Sequence, residues 1–297
     1  MSILMNATAA SIRLSSHIAP ALGGRLALGT FFATDRMRVR EDDWVTHRAA
    51  RRDTIQVRGR EVATYEWGTG TRAALLVHGW NGRASQFATL VRDLVGEGFR
   101  VVAFDAPAHG ESPGRRTDVR DWVAAMRMLS DAEGPFELIV GHSFGAFATL
   151  AALRDGVDAR RVVSIAGGGE VQAFHDQFLQ MVGLPHAARA HFEASFYRRM
   201  HLSRDESDAR YDSLVQPLPS QTELLIVHDR GDRGLEARNS EALHAAHPVQ
   251  SRLLLTQGFG HNRVLNADPV LDAVLAFADA GLDGLRDPSE GALRAVR

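Results

Sequence analysis

Residues Gly141, His142, Ser143, Phe144 and Gly145 form the segment of this chain with the clearest chemical potential. They make a G-x-S-x-G pattern directly after the apolar run 136–140 and before a stretch of helical character at 145–153. A sharp strand-to-helix turn there strains the serine backbone and pushes its hydroxyl out at the sheet edge. The helix N-terminus adds positive potential where an oxyanion would develop. Gly141, Gly145 and Ala146 leave room for strand and helix to approach closely. Elsewhere the same pattern is an ordinary tight turn; this context makes Ser143 a candidate nucleophile. Composition narrows the alternatives. The 297 residues contain no cysteine and no lysine, so all 34 basic residues of the Lys+Arg tally are arginine. Disulfides, Cys-ligated zinc and iron–sulfur clusters are excluded. So are a thiol nucleophile, a lysine Schiff base and a P-loop lysine. Covalent chemistry falls to Ser, Thr, Asp, Glu, His or Tyr.

Other chemistry-bearing residues give weaker signals. His186, His191, His244 and His247 have spacings a metal could use, but no carboxylate cluster accompanies them, and no metal is expected. The Gly167-Gly168-Gly169 run lacks the G-x-G-x-x-G form and its acidic partner, so no dinucleotide cofactor is expected, nor any other cofactor. Arg198-Arg199 reads as an exposed charge pair, with a substrate anion as the alternative. The 34 basic and 36 acidic residues leave a net charge of −2, which argues against a nucleic-acid partner. The longest apolar runs fall far short of the roughly 20 residues of a membrane span. No signal-peptide pattern is read at the N-terminus, and the cysteine-free composition fits a cytoplasmic location.

The elements that must position Ser143 follow a regular rhythm. Residues 55–57 and 62–65 flank Gly59 and read as an antiparallel pair. Short apolar runs at 73–77, 101–104, 136–140, 162–165, 224–227 and 253–255 then alternate with helical stretches at 85–96, 118–133, 145–153, 235–246 and 268–280. Continuous apolar strands with helical spacers mean an α/β fold with a mostly parallel sheet covered on both faces. Ligands then sit at the carboxyl ends of the strands. Residues 167–219 break the rhythm, being far longer than a normal connection of roughly 2–6 residues. They carry Phe174, Phe178, Met181, Phe192, Phe196, Tyr197 and Met200 at near-helical spacing. This reads as a helical insertion with its own core, serving as a lid over an apolar pocket. At the N-terminus Leu14, Ile18, Leu22 and Leu26 fall four apart, as on one helical face, although Pro20 and Gly23-Gly24 interrupt them. Their face suits a docking helix or loose tail, or a membrane-surface or oligomer contact. Residues 35–60 mix arginine with Asp35, Glu41, Asp42, Asp43 and Asp53 and read as a solvated connection. The division expected is therefore 1–53 as an N-terminal helical and connecting segment, 54–166 with 220–297 as the core, and 167–219 as the insertion.

Over residues 54–281 the chain resembles the α/β-hydrolase superfamily. Val77-His78-Gly79-Trp80 is similar to that family's H-G-x segment, which implies an oxyanion hole made by the backbone N–H groups of Trp80 and Phe144. A backbone donor leaves the Trp80 side chain able to wall the pocket. Asp105-Ala106-Pro107-Ala108-His109-Gly110-Glu111-Ser112 resembles the family's D-x-x-G-H-G-x-S loop, with Ala108 in place of the first glycine. The resemblance implies that Asp105, His109 and Ser112 are scaffold. His228-Asp229-Arg230-Gly231-Asp232 resembles the strand–H-G-x-x-D segment, which implies Asp232 as the acid. Asp229, where glycine is usual, is its competitor. Gly258-Phe259-Gly260-His261-Asn262 resembles the terminal G-H segment and implies His261 as the base, completing a Ser143–His261–Asp232 triad.

What the resemblance implies is a serine hydrolase of carboxylesterase type acting on a small acyl substrate of apolar or aromatic character, through an acyl-enzyme. Thioesterase, lactonase, amidase, C–C bond hydrolase, cofactor-free haloperoxidase and acyltransferase chemistry use the same triad in this family. A non-catalytic ligand-binding relative is the remaining alternative. Serine at the elbow argues against the epoxide hydrolase and dehalogenase branches, which place aspartate there. Oligomeric state is left open.

Overall fold

The computed structural model describes residues 3–285. Residues 286–297, assigned above to the end of the core, lie outside the described residues, as do Met1 and Ser2. Two helices, α1 (Ile3–Ile18) and α2 (Pro20–Phe31), and a short α3 (Trp44–Ala49) precede the sheet. Strands β1 (Arg51–Val57) and β2 (Arg60–Trp67) pair antiparallel, Ile55 opposite Val62. Arg58 and Gly59 both take positive φ at the turn (51° and 76°), the twist a two-residue hairpin loop requires. Strands β3 (Arg72–Val77), β4 (Phe99–Phe104), β5 (Phe136–His142), β6 (Ala159–Ile165), β7 (Glu223–Asp229) and β8 (Ser251–Thr256) complete an eight-stranded sheet of order β1-β2-β4-β3-β5-β6-β7-β8. From β4 to β8 all neighbours are parallel, and β2 joins β4 antiparallel.

Helices cover both faces, which is why the middle of each central strand is a continuous apolar run, as at residues 75–77, 101–104, 138–140 and 224–227. Helices α4 (Ala88–Gly96), α5 (Val119–Glu133) and α6 (Phe144–Arg154) follow β3, β4 and β5. On one face Trp122 of α5 and Phe147 of α6 pack with Leu75 and Ile139. On the other, Leu90 and Leu94 of α4 pack with Leu76 and Val140 and with Val270, Val274 and Phe277 from near the C-terminus. After β6 come three inserted helices, α7 (Val171–Val182), α8 (His186–Met200) and α9 (Arg204–Tyr211). Helices α10 (Arg238–Ala246), α11 (Gly260–Arg263) and α12 (Asp268–Ala280) flank β8. No described helix is long and apolar enough to cross a membrane.

The N-terminal segment packs on the insertion, by a face other than the leucine stripe. Proline at residue 20 cannot continue α1, so the chain breaks at Ala19 and folds back as a helical hairpin. Gly23 lies so close to Ser16 that a Cβ would collide with its backbone, and a Cβ on Gly24 would meet His191 Cβ at 2.8 Å and Phe192 N at 2.9 Å on α8. Ala9, Ile12 and Ala27 are buried with Phe178, Leu179, Val182, Ala188 and Phe192 in a separate core. Leu14, Ile18, Leu22 and Leu26 stay exposed on the outside. The glycine pair, read above as an interruption, is what permits the close packing.

Candidate active site

Ser143 sits between the last residue of β5 and the first of α6, with φ 55° and ψ −121°. That backbone region costs a non-glycine residue roughly 1–3 kcal/mol and persists only where the surroundings enforce it. Enforcement here is visible. The Ser143 N–H donates to the Ile165 carbonyl at 2.8 Å. A Cβ on Gly141 would strike the backbone of Ala146, and one on Gly145 would strike the carbonyl oxygens of Val77 and His78. Strand, elbow and helix are thus locked against β3.

The Ser143 hydroxyl lies 2.9 Å from His261 Nε2, and His261 Nδ1 lies 2.7 Å from Asp232 Oδ2. With Nδ1–H donating to the carboxylate, Nε2 is left as the acceptor for the serine proton. His261 stands in α11 after β8, and its ring occupies space opened by Gly234, where a Cβ would strike the imidazole. The Asp232 side chain is fully buried and all its hydrogen bonds are accounted for. Oδ1 accepts from the N–H groups of Gly234 (2.6 Å) and Leu235 (3.1 Å). Oδ2 accepts from His261 and from His228 Nε2 at 3.1 Å. Burial opposes ionisation of this carboxyl, but the His228 and His261 hydrogen bonds outweigh it and hold the group well below the usual carboxylate range.

Asp229, the competitor, has a different job. Its Oδ1 accepts from Gly231 N–H (2.9 Å), and its Oδ2 from Thr256 Oγ1 and Phe259 N–H (both 3.0 Å). It ties the end of β7 to the loop that carries His261 and makes no hydrogen bond to the imidazole. Burial raises its pKa, but the N–H groups of Phe259, Gly260 and Gly231 bring it below the ordinary value.

Trp80 follows Gly79 beside the elbow, where a Cβ on Gly79 would meet the His142 carbonyl and Ser143 Cβ at 2.9 Å. Phe144 N–H is the first of α6, so the helix provides it no partner. Asp105, His109 and Ser112 hold the neighbouring loops. Asp105 accepts from Ala84 N–H, Glu111 N–H and Tyr65 Oη at 2.7–2.8 Å. His109 Nε2 accepts from Asn81 N–H at 3.0 Å, and burial lowers its pKa to about 3, so it stays neutral. Ser112 accepts from Ala63 N–H. Ala108, in the usual glycine position, takes φ 70°. His244 and His247 are hydrogen-bonded to Ser251 Oγ and the Ser213 carbonyl.

Ser143 and His261 open into a cavity of about 460 Å³. Trp80 and Phe144 wall it from the core, Phe174, Phe178 and Met181 from α7, and Met5, Thr30 and Phe31 from the N-terminal hairpin. Trp80 lies parallel to Trp122 (5.6 Å, 17°) and edge-on to Phe144 (5.1 Å), so the wall is rigid. Behind it a small pocket of about 30 Å³ is lined by Phe147, Phe196 and Tyr211, and the buried Tyr211 hydroxyl has no partner among the described residues.

Three contributors were not anticipated from the sequence. His142 Nε2–H donates to the His261 carbonyl at 2.8 Å, joining the residue before the nucleophile to the residue opposite it. Burial, then the neighbouring His261, lowers the His142 pKa to about 3 and keeps it neutral. His228 backs Asp232, and the H-x-x-x-D spacing across a turn was its only signal. The hairpin lines the cavity, and Phe31-Phe32 after the leucine stripe was the sign available.

A family model described as the alpha/beta hydrolase family matches residues 74–288, and the chain belongs to that family. Solved structures agree on the fold. Alpha/beta hydrolase domain-containing protein 10 from mouse is 19% identical, with a TM-score of 0.60 over 80% of this chain and 100% of that one. A serine hydrolase from the polyaromatic-hydrocarbon-degrading bacterium Cycloclasticus zankles is 20% identical (TM-score 0.58; 79% of this chain, 99% of that one). A meta-cleavage product hydrolase from Pseudomonas fluorescens is 21% identical (TM-score 0.54; 76% and 97%). No curated protein matches this chain in sequence.

Proposed function

We propose that the protein is a serine hydrolase that cleaves a carboxylic ester or related acyl bond. The observation that carries this reading is the unbroken line from Ser143 Oγ to His261 Nε2 (2.9 Å) and from His261 Nδ1 to Asp232 (2.7 Å), with the serine held at φ 55°. His261 takes the Ser143 proton as the oxygen attacks the carbonyl carbon, and gives it to the leaving group as the tetrahedral intermediate collapses. The N–H groups of Trp80 and Phe144 receive the oxyanion; one such donor is worth roughly 2.7–4 kcal/mol in a protease. Water, activated by the same imidazole, then releases the acid. Asp232 keeps the imidazole in the Nδ1–H tautomer and stabilises the imidazolium.

The inserted helices and the N-terminal hairpin act together as a lid, and the aromatic and methionine lining favours an apolar or aromatic acyl group. A turnover screen across ester, thioester, lactone and amide panels, with and without an alcohol acceptor, tests this. Ester hydrolysis lost in Ser143→Ala supports it. Acyl transfer to the alcohol in preference to water would reassign the enzyme as an acyltransferase, and no turnover of any acyl bond would point to ligand binding.

A further inference from the structure

The outer face of the N-terminal hairpin is unusual. Leu14, Ile18, Leu22 and Leu26 are 64%, 78%, 49% and 41% exposed. Single exposed aliphatics are ordinary, but here a spacing of four puts Leu14 and Ile18 on one face of α1 and Leu22 and Leu26 on one face of α2, and both pairs are exposed in the hairpin, an aliphatic ridge in two halves. The charge carried by the hairpin's own sequence is of one sign. Residues 1–34 contain no aspartate or glutamate, whereas the chain-wide frequency of 36 in 297 would put about four there. Arg13, His17 and Arg25 are the charged or titratable residues in that stretch.

Beside Leu26 an open groove of about 580 Å³ is lined by Arg25, Arg116 and Arg199, with Thr8 and Thr30, and no acidic side chain. All three guanidinium groups are exposed, and none forms an ion pair among the described residues. Arg199 lies over the Phe32 ring at 4.4 Å, which fixes its direction without neutralising it. An aliphatic ridge next to unpaired arginines combines the two signals that hold a protein at a lipid surface: apolar insertion at the acyl boundary and attraction to anionic headgroups.

We propose that this hairpin face is a docking surface for a bilayer containing anionic phospholipid. The ridge enters the headgroup–acyl boundary, and Arg25, Arg116 and Arg199 meet phosphate groups. The same two helices line the Ser143 cavity on their inner side through Met5, Thr30 and Phe31. Docking therefore holds the cavity beside the phase in which an apolar substrate dissolves.

Co-sedimentation of the full chain with phosphatidylcholine vesicles, with and without phosphatidylglycerol, tests the surface without any turnover. Failure here leaves the hydrolase reading standing, and the reverse also holds. Binding to the anionic vesicles is expected, weakened by salt and reduced at least about tenfold in Leu14→Glu/Ile18→Glu. Arg25→Gln/Arg116→Gln/Arg199→Gln is expected to lose the preference for the anionic vesicles. Both variants should keep the parent Tm, because every altered side chain is exposed. No sedimentation at low ionic strength, or binding undiminished by Leu14→Glu/Ile18→Glu, would overturn the proposal. A dimer that Leu14→Glu/Ile18→Glu dissociates, with no vesicle binding, would assign the ridge to a second copy and overturn it equally.

Discussion

His228 and His261 share one oxygen of Asp232: Oδ2 lies 3.1 Å from Nε2 of the first and 2.7 Å from Nδ1 of the second. His228 is fully buried; its Nε2–H is shared between Asp232 Oδ2 and the Leu235 carbonyl (2.8 Å), and its Nδ1 lies 2.6 Å from Ser240 Oγ. The carboxylate is therefore held from behind as well as from the front. Backing of this kind keeps an acid ionised and oriented while its other hydrogen bond strengthens and weakens during turnover.

Replacing His228 tests this backing. His228→Gln removes a charge-assisted hydrogen bond worth about 1.5–3 kcal/mol. The lowered Asp232 pKa contributes stability that is complete above the unfolded value near 4 and is lost as pH falls below it. In His228→Gln that contribution shrinks, and the acid limb of the kcat profile moves to higher pH. The kcat is expected to drop about tenfold with KM little changed; a pH–rate profile superimposable on the parent would remove His228 from the account.

The two aspartates of β7 and its following turn separate by what they do when neutralised. Asp232→Asn is expected to cost on the order of a thousandfold or more in kcat, because the imidazole loses its tautomer. Asp229→Asn weakens the tie to Thr256 and Phe259, so it lowers Tm by several degrees and kcat by less than about tenfold. Comparing kcat and Tm in the two variants decides the assignment.

Phe31 is the hairpin's reach into the cavity, with its ring 5.1 Å from Phe178 and 5.6 Å from Phe192. Phe31→Ala opens the wall. The kcat/KM ratio between a long-chain or aryl ester and an acetate ester is expected to fall about tenfold, the worth of one to two buried methylenes. An unchanged ratio would separate the hairpin from substrate selection.

His175 carries an acid-sensitive stability term. Its ring is buried against Phe31, Phe192 and Phe196, the last at 4.3 Å, and neither nitrogen has a partner. Burial lowers its pKa from 6.5 to about 4, against a small opposing pull from Asp176 and with a small push from Arg204. The unfolded chain binds this proton first, so stability is whole above pH 6.5 and falls as pH drops toward 4. The loss reaches about 3 kcal/mol once pH is below 4. His175→Leu should lose less Tm than the parent between pH 7.5 and 4.5; parallel losses would place the acid lability elsewhere.

Strand and helix positions were legible because both faces of the sheet are covered: 73–77 against β3 and 268–280 against α12 differ by a residue or none. Ser143 was legible because the elbow needs small residues at fixed offsets. The choice of Asp232 over Asp229 leaned on resemblance, since two aspartates three apart differ only in which hydrogen-bond donors the fold brings to them. The hairpin's place was hidden. Apart from Ile12, its burial runs through Ala9, Gly23, Gly24 and Ala27, small residues that carry little hydrophobic signal, while Leu14, Ile18, Leu22 and Leu26 face outward. Long-range hydrogen bonds such as His142 to the His261 carbonyl, 119 residues apart, have no local pattern at all.

The most direct test of the central claim is fluorophosphonate labelling of the intact protein at neutral pH, read by peptide mass and paired with hydrolysis of a short p-nitrophenyl ester. The expected result is a single adduct on Ser143 and complete loss of turnover on labelling. Both should be abolished in Ser143→Ala, with turnover down at least about a thousandfold, and labelling should be suppressed in His261→Ala. Undiminished ester hydrolysis by Ser143→Ala, or normal labelling of Ser143 without His261, would contradict the account.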